Sequence, residues 1–195
     1  MPRWAVAHRK RYVAELPRAG FPTKSGAMSH EEWFDVVDEQ DRVVGAAPRR
    51  EVHARGLLHR AVHVLVFDAA GRVLLQKRSA TKDMYPNQWA ASASGHVDRG
   101  EDYDTAIMRE MGEELGIVVT AVPARLCRIL ACEDTGREFV WVYSCRHDGP
   151  VRPKADEISE VVWRTPAEVD RWVQERPEEF APSFLLVWAR GRALK

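Results

Sequence analysis

Between residues 95 and 117 the chain reads GHVDRGEDYDTAIMREMGEELGI, which gathers Glu101, Asp102, Asp104, Glu110, Glu113 and Glu114 around two basic residues, Arg99 and Arg109. The periodicity of residues 103–115 predicts a helix. On it Glu110, Glu113 and Glu114 stand at i, i+3 and i+4, so their side chains leave one face within a few ångströms of each other. Like charges at these spacings destabilise a helix by roughly 0.2–0.5 kcal/mol per pair, and their repulsion raises carboxylate pKa values until something positive arrives. The opposite face, Ala106, Ile107, Met111 and Leu115, is an apolar stripe that has to dock on another layer. The acidic face is then either a solvated charge run or a cation site. If a cation site, oxygen-only ligation suits Mg²⁺ or Mn²⁺ better than zinc, and Mg²⁺ keeps coordination positions for substrate phosphates.

The rest of the chain supplies the layers. WFDVVD (33–38), the turn EQD and RVVGAA predict one hairpin, and HRAVHVLVFDAAGRVLLQKR predicts a second with Ala-Gly at its turn. ARLCRILACE, REFVWVYSCR and EISEVVWR read as three further strands, the first two as a hairpin. TPAEVDRWVQERPEEF opens a helix with Thr165 as its cap and Pro166 in the first position, and a last helix is expected over 182–190. The order implies an α/β domain, a mixed sheet covered by helices.

Charge is unevenly spread over the 195 residues, although the formal net charge is zero. Residues 1–28 carry six basic residues and one Glu, leaving 23 basic and 28 acidic residues in the remainder. An acidic body argues against a nucleic-acid-binding surface. The basic start has no apolar stretch of the kind a secretory signal needs, so it reads as an extension over 1–28 ahead of a domain over 29–195. Trp4, Tyr12, Val13 and Leu16 offer it a short docking helix. Apolar runs such as AVHVLVF are too short to span a bilayer, so no membrane partner is expected. Cys127, Cys132 and Cys145 are odd in number and lack CxxC spacing; buried thiols in a reducing, cytoplasmic setting follow.

The spacing around the helix decides the role of the glutamates. Gly95, Glu101, Arg109-Glu110-Met111, Glu113-Glu114, Gly116 and Ile117 fulfil G-x5-E-x7-R-E-U-x-E-E-x-G-U, with U aliphatic-type, and chance agreement is on the order of 10⁻⁷ at average residue usage. This resembles the Nudix box, and the flanking elements are similar to a Nudix α/β/α sandwich with a mixed sheet. The resemblance implies hydrolysis of a small-molecule diphosphate linked to another moiety. It implies that Glu110, Glu113 and Glu114, with the Gly95 carbonyl, hold Mg²⁺ or Mn²⁺, and that Arg109 pairs with Glu101 to hold the loop against the helix. Glu113, Glu157 and Glu160 are candidates for the general base, and a homodimer is left open.

A second resemblance covers roughly residues 33–165. HRAVHVLVFDAAGRVLLQKRSATKDMYPNQWAASASGHV is similar to the isopentenyl-diphosphate isomerases of the same superfamily, notably at Arg78-Ser79, Pro86, Trp89 and Gly95-His96. It implies a second metal site at His53, His59, His96 and Glu138, and puts Arg78, Lys82 and Trp89 among candidate substrate contacts. Trp141 and Tyr143 are further candidates for stacking, with a core role as the alternative. The departures favour hydrolysis. Ser94 stands in place of the isomerase's essential Cys and Gly136 in place of a metal-binding Glu, while the box is intact. An isomerase or isoprenoid binder, and a nucleotide sensor without turnover, are the competing expectations. No proline occurs between Pro123 and Pro150, which removes a cue associated with ADP-ribose hydrolases.

Overall fold

A computed structural model describes residues 31–193. The basic segment 1–28 expected as an extension lies outside the described residues. From Glu31 onward the chain forms one compact unit.

The first expected hairpin is β1 (Trp33–Val37) and β2 (Val43–Pro48), a two-stranded antiparallel sheet. A short helix α1 (Arg49–Arg55) follows. The large sheet contains β3 (His59–Phe67), β4 (Val73–Arg78), β5 (Trp89–Ala90), β6 (Ala93–His96), β7 (Ala124–Ile129), β8 (Glu138–Arg146) and β9 (Ile158–Arg164). Its main path runs β5-β4-β3-β8-β7, with β6 added on β3 and β9 on β4. β3 and β8 are parallel and the other pairs antiparallel, so the sheet is mixed. The helices are α2 (Tyr103–Leu115), α3 (Pro166–Glu175) and α4 (Pro182–Arg192).

Strand alternation divides the core into two layers. Val62, Val64 and Val66 of β3 pack with Ala106, Ile107, Met111 and Leu115, so the apolar stripe of α2 covers one face. Ala61 and Leu65 turn to the other face, under Val169 of α3 and Phe184, Val187 and Trp188 of α4. Because both faces are covered, β3 is buried along nearly its whole length. A third cluster, Phe34, Val36, Ala47 and Val52, joins the small sheet to α1.

Local chemistry sets the helix ends. Asp102 caps α2, accepting from the backbone N–H groups of Asp104 and Thr105. Gly116 ends it in the left-handed region at φ 65°. Thr165 and Glu168 form a reciprocal capping box, with Pro166 at the first position of α3.

Helix α1 and strands β5 and β6 escape sequence reading because they are short. Helix α1 has seven residues, no side-chain cap and one buried residue, Val52, too few to display a helical period. The cysteines are free, as expected, but none is buried: Cys132 is exposed, and Cys127 and Cys145 are half-buried. Among the described residues, no helix is long and apolar enough to cross a membrane.

Candidate active site

Two groups of titratable side chains meet across β6. Its residues Ser94, Gly95 and His96 each touch a different part of the site. The Ser94 backbone N–H donates to Glu114 Oε2 at 3.0 Å. Gly95 lies against Glu110, so closely that a Cβ there would collide with the carboxylate. His96 reaches the histidine group described below.

The first group is the acidic face of α2. Glu110 and Glu114 are buried, whereas the Glu113 side chain is 55% exposed. Glu114 accepts a second bond from the Gln76 side chain at 3.0 Å. Burial pushes its pKa up to about 7, against the opposing pull of the Ser94 N–H and Gln76. Glu110 is raised to about 8 by burial and by the charge of Glu114, although Arg109 opposes the shift. Arg109 is the organising cation. It binds Glu101 through both carboxylate oxygens, at 3.0 and 2.9 Å, and donates to the His96 carbonyl at 3.0 Å and to Glu110 at 2.7 Å. Burial works against its charge, but Glu101 and Glu110 keep it firmly protonated. The expected loop-to-helix pairing of Arg109 and Glu101 is thus present. These oxygen donors fit a hard divalent cation: two buried carboxylates are raised in pKa, one exposed carboxylate stands beside them, and Gly95 leaves no side chain in the way.

The second group assembles from four separate elements. His53 comes from α1, His59 from the start of β3, His96 from the end of β6 and Glu138 from the start of β8. One ring nitrogen from each of the three histidines lies within 4.8 Å of the others. Glu138 Oε1 is 3.0 Å from His96 Nε2 and 3.5 Å from His59 Nε2. The parallel register places Glu138 directly beside His59. The other ring nitrogen of His59 lies 2.9 Å from the Leu57 carbonyl, which orients the imidazole. Phe34 stacks on His96 and His59 with centroids 4.4 and 5.7 Å apart. Burial drives the His53 pKa down to about 4, and His96 and His59 add to the effect. Burial alone would raise Glu138, yet the two imidazoles hold it well below the usual carboxylate range. The Nε2 atoms of His53 and His59 are buried without a hydrogen bond. Three converging imidazoles, two with a buried nitrogen free of hydrogen bonds, beside an ionised carboxylate are a donor set for a transition metal.

Both groups open on one cleft of about 290 Å³. Arg49, Arg78, Lys82 and Lys154 also line it. Arg78 donates to the Met84 carbonyl at 3.0 Å, and Arg49 pairs with Glu32 and Asp83. Lys82 is bound to Glu157, another cleft residue. Burial would raise the Glu157 pKa, but Lys82 holds it below the ordinary value.

Other candidates fall elsewhere. Trp89 is buried, edge-on to Trp172 at 5.1 Å, in the layer under α3 and α4, and its ring is not on the cleft wall. Tyr143 is fully buried and its hydroxyl donates to Asp104 at 2.6 Å. Trp141 lies beneath the Arg125 guanidinium at 4.7 Å. Glu160 is an exposed strand residue away from the cleft wall. Sequence reading overlooked Gln76 and His63. A lone Gln within the apolar strand VLLQKR was a signal for the first, and the alternation His59, Ala61, His63 was a signal for the second.

Similarity to known proteins agrees with this geometry. Residues 57–184 match the NUDIX domain family. The chain is 40% identical over 171 residues to an uncharacterised Nudix hydrolase of Streptomyces coelicolor, covering 86% of this chain and 93% of the relative. It is 37% identical over 171 residues to an uncharacterised Nudix hydrolase of Escherichia coli K12, covering 85% and 91%. Among solved structures it superposes on a Deinococcus radiodurans protein with a TM-score of 0.67 at 29% identity, covering 74% of this chain and 90% of that one. The Nudix domain of a Shewanella oneidensis protein solved with ADP ribose shares the fold, with a TM-score of 0.55 at 17% identity, covering 74% and 97%. The fold and site define an α/β hydrolase of diphosphate compounds. The chain belongs to the Nudix family, whose hydrolases generally cleave a nucleoside diphosphate linked to another moiety.

Proposed function

We propose that the protein hydrolyses a small organic diphosphate with Mg²⁺ or Mn²⁺ held by Glu110, Glu113, Glu114 and the Gly95 carbonyl. The observation that supports this most is the burial of Glu110 and Glu114 with raised pKa values, beside a glycine that a side chain could not replace. Two carboxylates in that state bind a proton or a metal ion in preference to standing ionised and alone. A divalent ion bound there supplies charge neutralisation at the diphosphate and a more acidic water.

The chain's own residues divide the remaining work. Arg109 fixes the Glu101 loop and the His96 carbonyl, keeping β6 in register with α2. Glu113 is exposed to the cleft and is the better base, because its pairing with Arg109 at 3.4 Å is looser than the engagement of Glu157 by Lys82. Arg78 would receive phosphate oxygens, with Lys82 and Lys154 joining it when they leave Glu157.

The histidine group supports a second metal at His53, His59, His96 and Glu138, Zn²⁺ or Mn²⁺ by its donors. That arrangement also favours the isomerase-like branch of the family for a chain that nevertheless hydrolyses. Ser94 has no thiol with which to protonate an alkene. The free thiols suit a reducing compartment, so the cytoplasm is the proposed location.

The test is a panel of nucleoside-diphosphate conjugates and prenyl diphosphates, each incubated with and without Mg²⁺. Metal-dependent release of phosphorylated products supports the proposal. Interconversion of isopentenyl and dimethylallyl diphosphate that depends on Ser94 would replace hydrolysis with isomerisation.

A further inference from the structure

His63 is buried at 5% exposure on β3, and its side chain reaches the wall of the cleft. Its Nδ1 has no hydrogen-bond partner. Buried polar atoms are almost always paired, and an unpaired one carries the full cost of its lost hydration. A nitrogen left in this state beside a cleft points to a ligand that completes it.

The position narrows what that ligand is. Strand alternation puts His63 on the same face as His59 and Ala61, opposite the Val62 and Val64 face that α2 covers. Ala61, Ala90, Ala181 and Ser183 line the cleft together with it. These neighbours carry no charge, although Glu138, Arg78 and His96 are close enough to act on the ring. His63 is also not one of the three histidines whose nitrogens converge. Burial lowers its pKa to about 4, against an upward pull from Glu138 and with Arg78 and His96 adding to the lowering, so the ring is uncharged at neutral pH. Phosphate oxygens have stronger partners among the cations. An uncharged imidazole with an unpaired nitrogen instead matches a hydroxyl, carbonyl or amide.

We propose that His63 is a substrate-binding residue whose Nδ1 hydrogen-bonds an uncharged polar group on the organic part of the diphosphate substrate. The proposal rests on the diphosphate-hydrolase reading for the placement of the phosphates. The polar group lies either on the distal moiety or on the nucleoside, and the test separates the two.

Binding of ADP-ribose and of the butyl ester of ADP is measured by calorimetry in Ca²⁺ for wild type, His63→Leu, His63→Met and His63→Asn. Leu and Met keep the volume without a polar atom, and two such variants guard against misfolding of one. Asn keeps a polar atom near the place of Nδ1. The expected result is a loss of about tenfold in ADP-ribose affinity for Leu and Met, with Asn within about threefold of wild type. If the loss vanishes with the butyl ester, the partner is a hydroxyl of the distal ribose; if it persists, the partner lies on the adenosine. Wild-type affinity in both apolar variants, an Asn variant as weak as Leu, or no binding of either probe to wild type would overturn the proposal. Binding without product release in Mg²⁺ would instead count against the hydrolase reading alone.

Discussion

The carboxylate of Glu110 occupies the space in which a side chain on Gly95 would begin. Strand β6 and helix α2 are therefore in contact at a point that only glycine permits. The same contact joins the acidic face to the histidine group, because His96 is the next residue. Gly95→Ala must push β6 off α2 or turn Glu110 out of its place. The expected cost is about 1–3 kcal/mol in stability, as for overpacking elsewhere, together with loss of turnover. Thermal unfolding and the product assay check the two effects, and an alanine variant with wild-type values in both would show that the contact is slack.

Arg109 serves five acceptor atoms at once, and lysine cannot reproduce its planar fork. Arg109→Lys should lower kcat/KM by about tenfold or more while leaving a folded protein. The same variant should lose apparent affinity for Mg²⁺, seen as a higher metal concentration for half-maximal rate.

The raised carboxylates make a prediction about pH. For Glu110 and Glu114 the folded values, about 8 and about 7, lie above the ordinary value of 4.5, so the folded state binds their protons more tightly. That contribution is full below about pH 4.5 and is lost as pH rises through 7 to 8. His53 and His63 act in the opposite sense, since their folded values of about 4 lie below 6.5 and their contribution is lost as pH falls through that range. Between pH 6.5 and 8 the carboxylates dominate. The metal-free protein should therefore melt at progressively lower temperature across that window, and saturating Mg²⁺ or Mn²⁺ should flatten the trend. A Glu110→Gln, Glu114→Gln double variant should be flat without metal.

Four residues scattered from position 53 to position 138 form the histidine group, so its metal can be assayed directly. Protein purified without chelator should carry a tightly held transition metal, and His59→Ala, His96→Ala should lose it. Equal metal in both proteins, measured by elemental analysis, would place the metal elsewhere.

The legible parts of the molecule were those with a period or a cap to read. The helix expected over 103–115 is α2 itself, because its stripe has a full turn-by-turn repeat and Asp102 and Gly116 close its ends. Thr165 and Pro166 marked α3 in the same way. Helix α1 showed neither signal, so the sequence places no helix around His53. The glutamates were legible because one helix carries all three; the histidine group was visible only through resemblance, since four elements must fold before it exists. Trp89 was misplaced for a related reason. An aromatic residue shows no face from sequence alone, and its ring packs on Trp172.

Glutamine in place of Glu113 or Glu114 tests the central claim most directly, because it removes a charge while keeping the side chain's size. With the best substrate from the panel and Mg²⁺ present, each variant should turn over at least roughly 10²-fold more slowly than wild type while its circular dichroism matches wild type. Wild-type turnover in both folded variants would contradict the account of these carboxylates as the catalytic metal site.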